Sequence, residues 1–252
     1  MGDRTPAPAL PAAIRACLFD LDGVLTQTAK LHATAWKEMF DAFLRQRAEK
    51  DDEQFREFTP EDYADYVDGK LREDGVRSFL ASRGVDLPEG SPDDPATTDT
   101  VNGLGTRKND LLLKIIHERG VDVYEDGVSF ARAARDAGLR RAVVTASKNC
   151  GEVLAAAGIE DLFEARVDGH VAEQRHLKGK PAPDTFLAGA EMLGVEPAGC
   201  AVFEDALAGV EAGHAGSFGL VVGVDRTGHA DALRRHGADR VVADLGELLE
   251  PR

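Results

Sequence analysis

The sequence predicts an α/β fold in which a Rossmann-like parallel sheet, covered by helices on both faces, is interrupted by an inserted α-helical domain. Three observations lead to this prediction. A short apolar segment near the start of the chain ends in acidic residues and glycine, a long charged helical block follows it, and strands alternate with helices from Val121 onwards. We expect residues 1–27 and 120–252 to form the core, and residues 28–119 to form the helical insertion.

The individual elements follow from local patterns. Ile14–Gly23 is mostly apolar and ends in acids, as a buried parallel strand does where it enters a loop. Lys30–Lys50 carries apolar residues at helical spacing, whereas residues 87–105 are rich in Pro, Gly, Asp and Thr and predict a loop. Residues 1–13 are rich in Pro and Ala, and we expect a loose leader there. Later in the chain the patterns predict helices at 127–137, 151–157, 184–193, 207–215 and 230–236, and strands at 139–145, 165–167, 200–203, 220–224 and 240–243.

The composition supports a substantial core and argues against several classes of function. The 252 residues include 45 acidic and 30 basic side chains, with a formal net charge of −15, whereas nucleic-acid binding rewards clustered basic residues. The three cysteines lie far apart and form neither a disulfide framework nor a zinc-binding spacing. No run of about 18 apolar residues suggests a membrane span. We expect a cytoplasmic protein with no nucleic-acid or membrane partner; the sequence does not determine the oligomeric state, for which a monomer is the working expectation.

Polar residues follow several of the predicted strands. Asp20 and Asp22 end the first strand, Thr145–Asn149 follow a second, and Glu204–Asp205 follow a third, with Lys180 in a loop between the last two. Ligands of open α/β sheets bind beyond the carboxyl ends of the strands. If the first strand continues through Asp20 and Asp22, their side chains point to the same side. These residues are therefore the candidates for a functional site.

The residue types at these strand ends suit phosphoryl transfer. Paired carboxylates raise each other's pKa and need a cation, and oxygen ligands without His or Cys indicate Mg²⁺. Lys180 would neutralise a phosphate group or an attacking carboxylate. Thr145 and Ser147 offer hydroxyl groups, and the loop around them offers backbone N–H groups to phosphate oxygens. A carboxylate nucleophile, a divalent cation, a lysine and a hydroxyl group together make a complete set for this chemistry.

Four motifs, in order along the chain, carry a resemblance to a known family. Phe19–Thr26 resembles the DxDGxxT signature of the haloacid dehalogenase superfamily. Val144–Ser147 resembles the second motif of that superfamily, Lys180–Asp184 the third, and Glu204–Asp205 the fourth. The DxD pattern alone would be a weak signal, whereas four motifs in the right order are specific.

Within the superfamily, the chain is most similar to the β-phosphoglucomutase group. Asp20–Thr28 together with His32 and Trp36 matches the opening of that group, and Thr145–Asn149 matches it further on. Arg107–Asn109 resembles a run in the cap domain of the group, which implies that the helical insertion is a cap domain.

The resemblance implies a role for each matched residue. Asp20 would attack the phosphoryl group, Asp22 would act as general acid and base, and Thr145 and Lys180 would hold the transferring phosphoryl group. The residues implied as magnesium ligands are Asp20, Asp22, Glu204 and Asp205, and those implied in substrate binding are His32, Arg72, Lys108, Ala146, Ser147, Lys148 and Asn149.

The implied activity is Mg²⁺-dependent conversion of β-glucose 1-phosphate to glucose 6-phosphate through the 1,6-bisphosphate, so that the partner is a small-molecule sugar phosphate. The alternative is a sugar-phosphate phosphatase of the same superfamily, in which water releases the phosphoryl group. Asp68, where the group often carries a lysine, and the long 87–105 segment motivate this alternative. A non-enzymatic domain with this fold would be expected to lose Asp20 or Lys180, and both are present.

Overall fold

The structure is a computed structural model that describes residues 6–52, 54–68 and 70–250. The chain forms two compact units, Met1–Gln27 with Val121–Arg252, and Thr28–Gly120. The strands are β1 (Ala7–Pro8), β2 (Ala16–Phe19), β3 (Arg140–Val144), β4 (Ala165–Val167), β5 (Cys200–Glu204), β6 (Leu220–Val224), β7 (Arg240–Val242) and β8 (Leu249–Glu250). The helices are α1 (Ala29–Asp51), α2 (Pro60–Tyr66), α3 (Arg72–Ser82), α4 (Val101–Arg119), α5 (Glu125–Asp136), α6 (Cys150–Ala156), α7 (Gly169–Gln174), α8 (Asp184–Leu193), α9 (Leu207–Ala215) and α10 (Ala230–Arg235). Among the described residues, no helix has the length and apolar character that crossing a membrane requires.

The first unit is built on a parallel sheet of six strands in the order β4-β3-β2-β5-β6-β7. Strand β2 lies in the middle, where Phe19 pairs with Val143 on one side and with Phe203 on the other. Because all six strands run in the same direction, their carboxyl ends share one edge of the sheet. This topology brings the ends of β2, β3 and β5 side by side.

Alternate side chains of the central strands enter two different clusters. Leu18 belongs to an apolar core with Phe186 of α8 and Val210 of α9. Its neighbour Phe19 stacks on Phe203 with ring centroids 4.8 Å apart, and Phe130 of α5 packs 5.0 Å from the Phe203 ring. Helices therefore cover both faces of the sheet, and the predicted fold class is confirmed.

The second unit is helical, and α1, α3 and α4 pack around a core of aromatic side chains. The Phe40 ring lies 4.2 Å from the Phe79 ring and 5.2 Å from the Trp36 ring, measured between centroids. Trp36 is buried in this cluster, together with Leu104 of α4. This packing stabilises helices whose surfaces are otherwise strongly charged.

Some boundaries differ from the sequence prediction. Strand β2 stops at Phe19, so Asp20 and Asp22 lie in the loop that follows it. Helix α4 starts at Val101, inside the segment predicted as a loop, because the Thr100 hydroxyl accepts a hydrogen bond from the Gly103 N–H at 3.0 Å. Helix α7 was not predicted, since its six residues show no apolar period; the Asp168 carboxylate caps it.

The prediction of a loose leader is wrong for the part that the structure describes. Strand β1 pairs antiparallel with β8 in a two-stranded sheet, and the Ala9 N–H donates to the Leu248 carbonyl at 2.7 Å. Ile14 is buried at the entry to β2. The segment is held by main-chain hydrogen bonds to the end of the chain, a long-range pairing that composition does not indicate. Residues 1–5 of the predicted leader lie outside the described residues.

Candidate active site

Three buried polar residues lie at the shared carboxyl edge of β2, β3 and β5. Asp20 continues the ladder of β2 by donating its N–H to the Phe203 carbonyl at 2.9 Å, and Thr145 extends β3 by donating to the Val167 carbonyl at 2.9 Å. Glu204 is the last residue of β5, and only 1% of its side chain is exposed. The structure thus brings together residues from the first, second and fourth motifs.

Lys180 joins two of these residues. Its Nζ lies 2.5 Å from Asp20 Oδ1 and 2.5 Å from Glu204 Oε1, and its side chain is only 10% exposed. The ammonium group also lies 4.9 Å from the centroid of the Phe186 ring, which packs against it from α8. The third motif therefore places its cation between the carboxylates of the first and fourth motifs, in a site largely shielded from water.

Burial and the neighbouring charges shift the pKa values of Asp20 and Lys180 in this cluster. Burial raises the pKa of Asp20 well above its ordinary value; Lys180 opposes this rise, while Glu204 and Asp22 add to it. Burial by itself would lower the pKa of Lys180, but the attraction of Asp20 and Glu204 outweighs burial and raises it. The lysine therefore stays protonated, yet one ammonium group cannot neutralise all the surrounding carboxylates.

Two further acidic residues, one from the loop after β2 and one that follows β5, lie at the turn after Asp20. The Thr145 hydroxyl approaches Asp22 Oδ2 at 3.5 Å. Gly23 has a φ of +94°, and a Cβ atom there would fall 1.9 Å from Asp205 Oδ2. The Asp205 carboxylate consequently lies directly against the backbone that follows Asp22, and only glycine allows this approach.

The donor chemistry of this edge fits a magnesium ion. Asp20, Asp22, Glu204 and Asp205 supply oxygen atoms, and Lys180 is the cation that contacts two of them. Both carboxylate oxygens of Glu204 accept hydrogen bonds, one from Lys180 and one from the Ala206 N–H at 2.7 Å. Over residues 6–52, 54–68 and 70–250, no three acidic, His or Cys side chains already converge as a metal cluster. The excess of negative charge and the oxygen-only donor set are what a hard divalent cation requires.

The loop after β3 is organised by its own hydroxyl groups. Thr145 Oγ1 accepts a hydrogen bond from the Ser147 N–H at 3.1 Å, and Ser147 Oγ accepts one from the Asn149 N–H at 3.2 Å. Ala146 is exposed at the tip of this loop, while Lys148 Nζ lies 2.9 Å from a carboxylate oxygen of Glu173 on α7. The loop joins the site through Thr145, whose hydroxyl lies 3.5 Å from Asp22 Oδ2, and the phosphate-binding role of its other residues stays a prediction.

The predicted substrate-binding residues of the insertion lie within the helical unit. Lys108 is buried on α4; its Nζ is 3.3 Å from His32 Nδ1 on α1 and 5.1 Å from the centroid of the Trp36 ring. Arg72, at the start of α3, donates from Nη2 to Asn109 Oδ1 at 3.0 Å. His32 and Lys108 are thus in contact, and Arg72 is hydrogen-bonded to Asn109, the residue that follows Lys108.

Sequence reasoning missed one cation at the same edge of the sheet. Arg226 follows β6, and its Nε donates to the Gly23 carbonyl at 3.0 Å. No motif indicates this residue. The rule that led to Asp20 and Glu204 would have found it, because Arg226 lies just beyond the carboxyl end of a parallel strand.

Replacing Gly23 by Ala is expected to lower turnover at least tenfold, because the new Cβ would displace the Asp205 carboxylate, and misplaced groups commonly cost about 10²-fold. Gly158→Ala is the matched control, since Gly158 also has a positive φ, +66°, but has no atom within 4 Å of an added Cβ. The two variants are compared by kcat at saturating Mg²⁺ and by urea unfolding. Equal activity in both variants would contradict the placement of Asp205 against Gly23.

Comparison with known proteins identifies the family. Residues 14–216 match the family model of the haloacid dehalogenase-like hydrolases. The chain is 57% identical over 244 residues to the β-phosphoglucomutase of Mycobacterium bovis, covering 95% of this chain and 93% of that protein. It is 31% identical to the β-phosphoglucomutase of Bacillus subtilis, covering 93% and 92% of the two chains. The crystal structure of β-phosphoglucomutase from Clostridium difficile superposes with a TM-score of 0.74 at 26% identity, covering 93% of each chain. With its four motifs gathered at one edge of the sheet, the chain belongs to the haloacid dehalogenase superfamily and to its β-phosphoglucomutase-like group.

Proposed function

We propose that the protein is a β-phosphoglucomutase, which converts β-glucose 1-phosphate into glucose 6-phosphate through the 1,6-bisphosphate. The observation that carries this proposal is the buried contact of Lys180 with both Asp20 and Glu204, an arrangement suited to phosphoryl transfer through a carboxylate. The 57% identity to a mycobacterial β-phosphoglucomutase supports a glucose phosphate as the proposed substrate.

In this proposal Asp20 is the nucleophile. One of its carboxylate oxygens forms a bond to phosphorus while the bond from phosphorus to the departing oxygen breaks, which leaves an aspartyl-phosphate. Lys180, already 2.5 Å from Asp20 Oδ1, stabilises the charge on the transferring group. In the proposed reaction, the Thr145 hydroxyl and the Ala146 N–H bind phosphoryl oxygens.

Asp22 moves the proton that the sugar gives up or receives. When a sugar hydroxyl attacks the aspartyl-phosphate, its proton passes to the Asp22 carboxylate; when the sugar oxygen leaves, Asp22 returns the proton to it. General acid and base catalysis of this kind contributes about 10²–10⁴-fold to a rate. The exchange of roles requires that Asp22 keep a defined position relative to Asp20.

Magnesium is the cofactor of the proposed reaction. Asp20, Glu204, Asp205 and the main-chain carbonyl of Asp22 would hold it. Bound Mg²⁺ would neutralise charge on the phosphoryl oxygens and keep Asp20 ionised, which offsets the raised pKa that burial imposes on this carboxyl group.

The helical unit has the proposed role of a cap. In this role His32, Arg72 and Lys108 contribute to sugar-phosphate binding. Ser147, Lys148 and Asn149 of the core are proposed to bind phosphate. A mutase must exclude water while the bisphosphate reorients, because hydrolysis of the aspartyl-phosphate would end the cycle. The contact between His32 and Lys108 supports a common role for these two residues.

The decisive experiment is a primed isomerisation assay. Purified protein with Mg²⁺, a trace of glucose 1,6-bisphosphate and β-glucose 1-phosphate is expected to form glucose 6-phosphate, while inorganic phosphate is monitored in the same tube. The α-anomer of the substrate is the control and should not be converted. Steady phosphate release that exceeds isomerisation would contradict the mutase and would favour the phosphatase alternative.

A further inference from the structure

Arg226 contacts the turn that carries Asp22. Its Nε donates to the Gly23 carbonyl at 3.0 Å, and its Nη2 donates to Asp126 Oδ2 at 2.8 Å. The guanidinium carbon also lies 3.9 Å from the centroid of the Tyr124 ring. The side chain is only 12% exposed, so these contacts are screened less than those of a surface ion pair.

The loop that presents Arg226 is itself fixed. The neighbouring Asp225 donates its N–H to the Val242 carbonyl at 2.8 Å. Its carboxylate accepts hydrogen bonds from consecutive main-chain N–H groups, including those of Gly228 at 2.7 Å and His229 at 2.7 Å. These bonds lower the pKa of Asp225, which keeps the carboxylate charged and the loop closed. Arg226 is therefore held in place on its backbone side.

The partner of Arg226 is fixed as well. Asp126 lies in the first turn of α5, and its Oδ2 also accepts the Leu245 N–H at 2.8 Å. Three segments that are distant in sequence, the start of α5, the loop after β6 and the chain after β7, thus meet at the Arg226–Asp126 pair, and Arg226 alone donates to the Gly23 carbonyl. Water molecules could satisfy a loop carbonyl without any such arrangement. The fixed ion pair therefore indicates a more specific role than solvation.

The turn at the other end of this contact is closed by main-chain hydrogen bonds. Gly23 donates its N–H to the Thr26 carbonyl at 2.8 Å, and Thr26 donates its N–H to the Leu21 carbonyl at 2.9 Å. Asp205 packs against the Gly23 Cα, as described above. The bond from Arg226 holds the carbonyl of Gly23 and so opposes rotation of the peptide between Gly23 and Val24, which closes the turn that carries Asp22.

We propose that Arg226 is a positioning residue which, with Asp126, locks the Gly23 carbonyl and so holds the Asp22 carboxylate where it exchanges protons with the sugar hydroxyl. This inference rests on the proposed function. In this role Arg226 acts through the turn, because its contacts are with the Gly23 carbonyl, Asp126 and Tyr124. The planar guanidinium group presents Nε and Nη2 to the two acceptors in fixed directions, whereas a lysine offers a single flexible ammonium group that does not fix this geometry.

The two halves of the reaction separate this role from general stabilisation. Acetyl phosphate transfers its phosphoryl group to Asp20 as the acetate leaves with the bonding electrons; acetate is weakly basic and needs no proton from Asp22. Transfer from aspartyl-phosphate to β-glucose 1-phosphate forms a bond from the sugar oxygen to phosphorus and breaks the Asp20–phosphorus bond. This second step sends the hydroxyl proton to Asp22 and depends on its position.

The experiment measures both half-reactions in Arg226→Met, Arg226→Lys and the wild type. For Arg226→Met we expect an unchanged rate of Asp20 phosphorylation by acetyl phosphate and a loss of about tenfold to a hundredfold in transfer to the sugar, with unchanged KM. For Arg226→Lys we expect a rate of transfer to the sugar between those of the wild type and Arg226→Met. The matched control is Arg141→Met, since Arg141 is 7% exposed and paired with Glu164 but makes no hydrogen bond to residues 20–26. It should lose stability without a selective loss of sugar transfer.

The outcomes distinguish the two proposals. If the wild type accepts phosphoryl groups from acetyl phosphate but never transfers them to the sugar, the proposed function is wrong. If the wild type transfers normally and Arg226→Met does so equally well, or loses both half-reactions to the same degree, the positioning role of Arg226 is wrong while the mutase assignment stands.

Discussion

Replacing Asp20 by Asn is expected to abolish turnover, with a fall in kcat of about 10⁴-fold or more. The amide has almost the same shape as the carboxylate but cannot attack phosphorus, so no aspartyl-phosphate forms. The side chain lies within hydrogen-bond distance of Lys180, and an Asn oxygen can still accept that bond. We therefore expect the variant to fold and to bind sugar phosphate.

The test for Asp20→Asn combines steady-state kinetics with intact-protein mass spectrometry after incubation with acetyl phosphate. The wild type should gain one phosphoryl group and the variant none. Asp239→Asn is the matched control: Asp239 precedes β7 at the opposite edge of the sheet, where its carboxylate accepts the Val221 N–H at 2.8 Å. An Asp20→Asn protein that still became phosphorylated and turned over would show that another residue is the nucleophile.

Replacing Lys180 by Met is expected to damage both stability and catalysis. The change leaves Asp20 and Glu204 buried without their shared cation, and breaking a buried ion pair in this way costs about 3–5 kcal/mol in the free energy of unfolding. Loss of the positive charge beside the transferring phosphoryl group should lower kcat by about 10²–10³-fold. Urea unfolding at pH 7.5 and steady-state kinetics measure the two effects.

The control for Lys180 is a lysine with similar partners but a different environment. Lys37 pairs with Asp41 at 3.0 Å and with Glu57 at 2.8 Å, but its side chain is 46% exposed. Lys37→Met should therefore cost less than about 1 kcal/mol. Adding Glu204→Gln to Lys180→Met should restore part of the stability, because it removes one of the two buried carboxylates that have lost their cation. It should not restore activity. Equal losses in the two lysine variants would contradict the role of burial.

Much of the core could be predicted from local patterns. The β-strand and helix signals after Val121 alternate clearly, and such alternation leaves a parallel sheet as the simple arrangement. Once the sheet is parallel, residues that follow different strands meet at one edge, which is why Asp20, Thr145 and Glu204 could be grouped without coordinates. Helix α7 and the start of α4 could not be predicted in this way, because their capping residues, Asp168 and Thr100, lie in segments without apolar periodicity.

The sequence by itself determined the fold class, the order of the motifs and the residue types at the strand ends, because strand and helix periods and short motifs are properties of neighbouring residues. Only the tertiary structure decided which oxygens share Lys180, where Asp205 lies against Gly23, and that Arg226, 203 residues further along the chain, holds the Gly23 carbonyl. It also decided that Ala7 and Pro8 of the predicted leader pair with β8. These contacts join residues that are far apart in sequence, and they depend on strand order and side-chain packing, which no local pattern encodes.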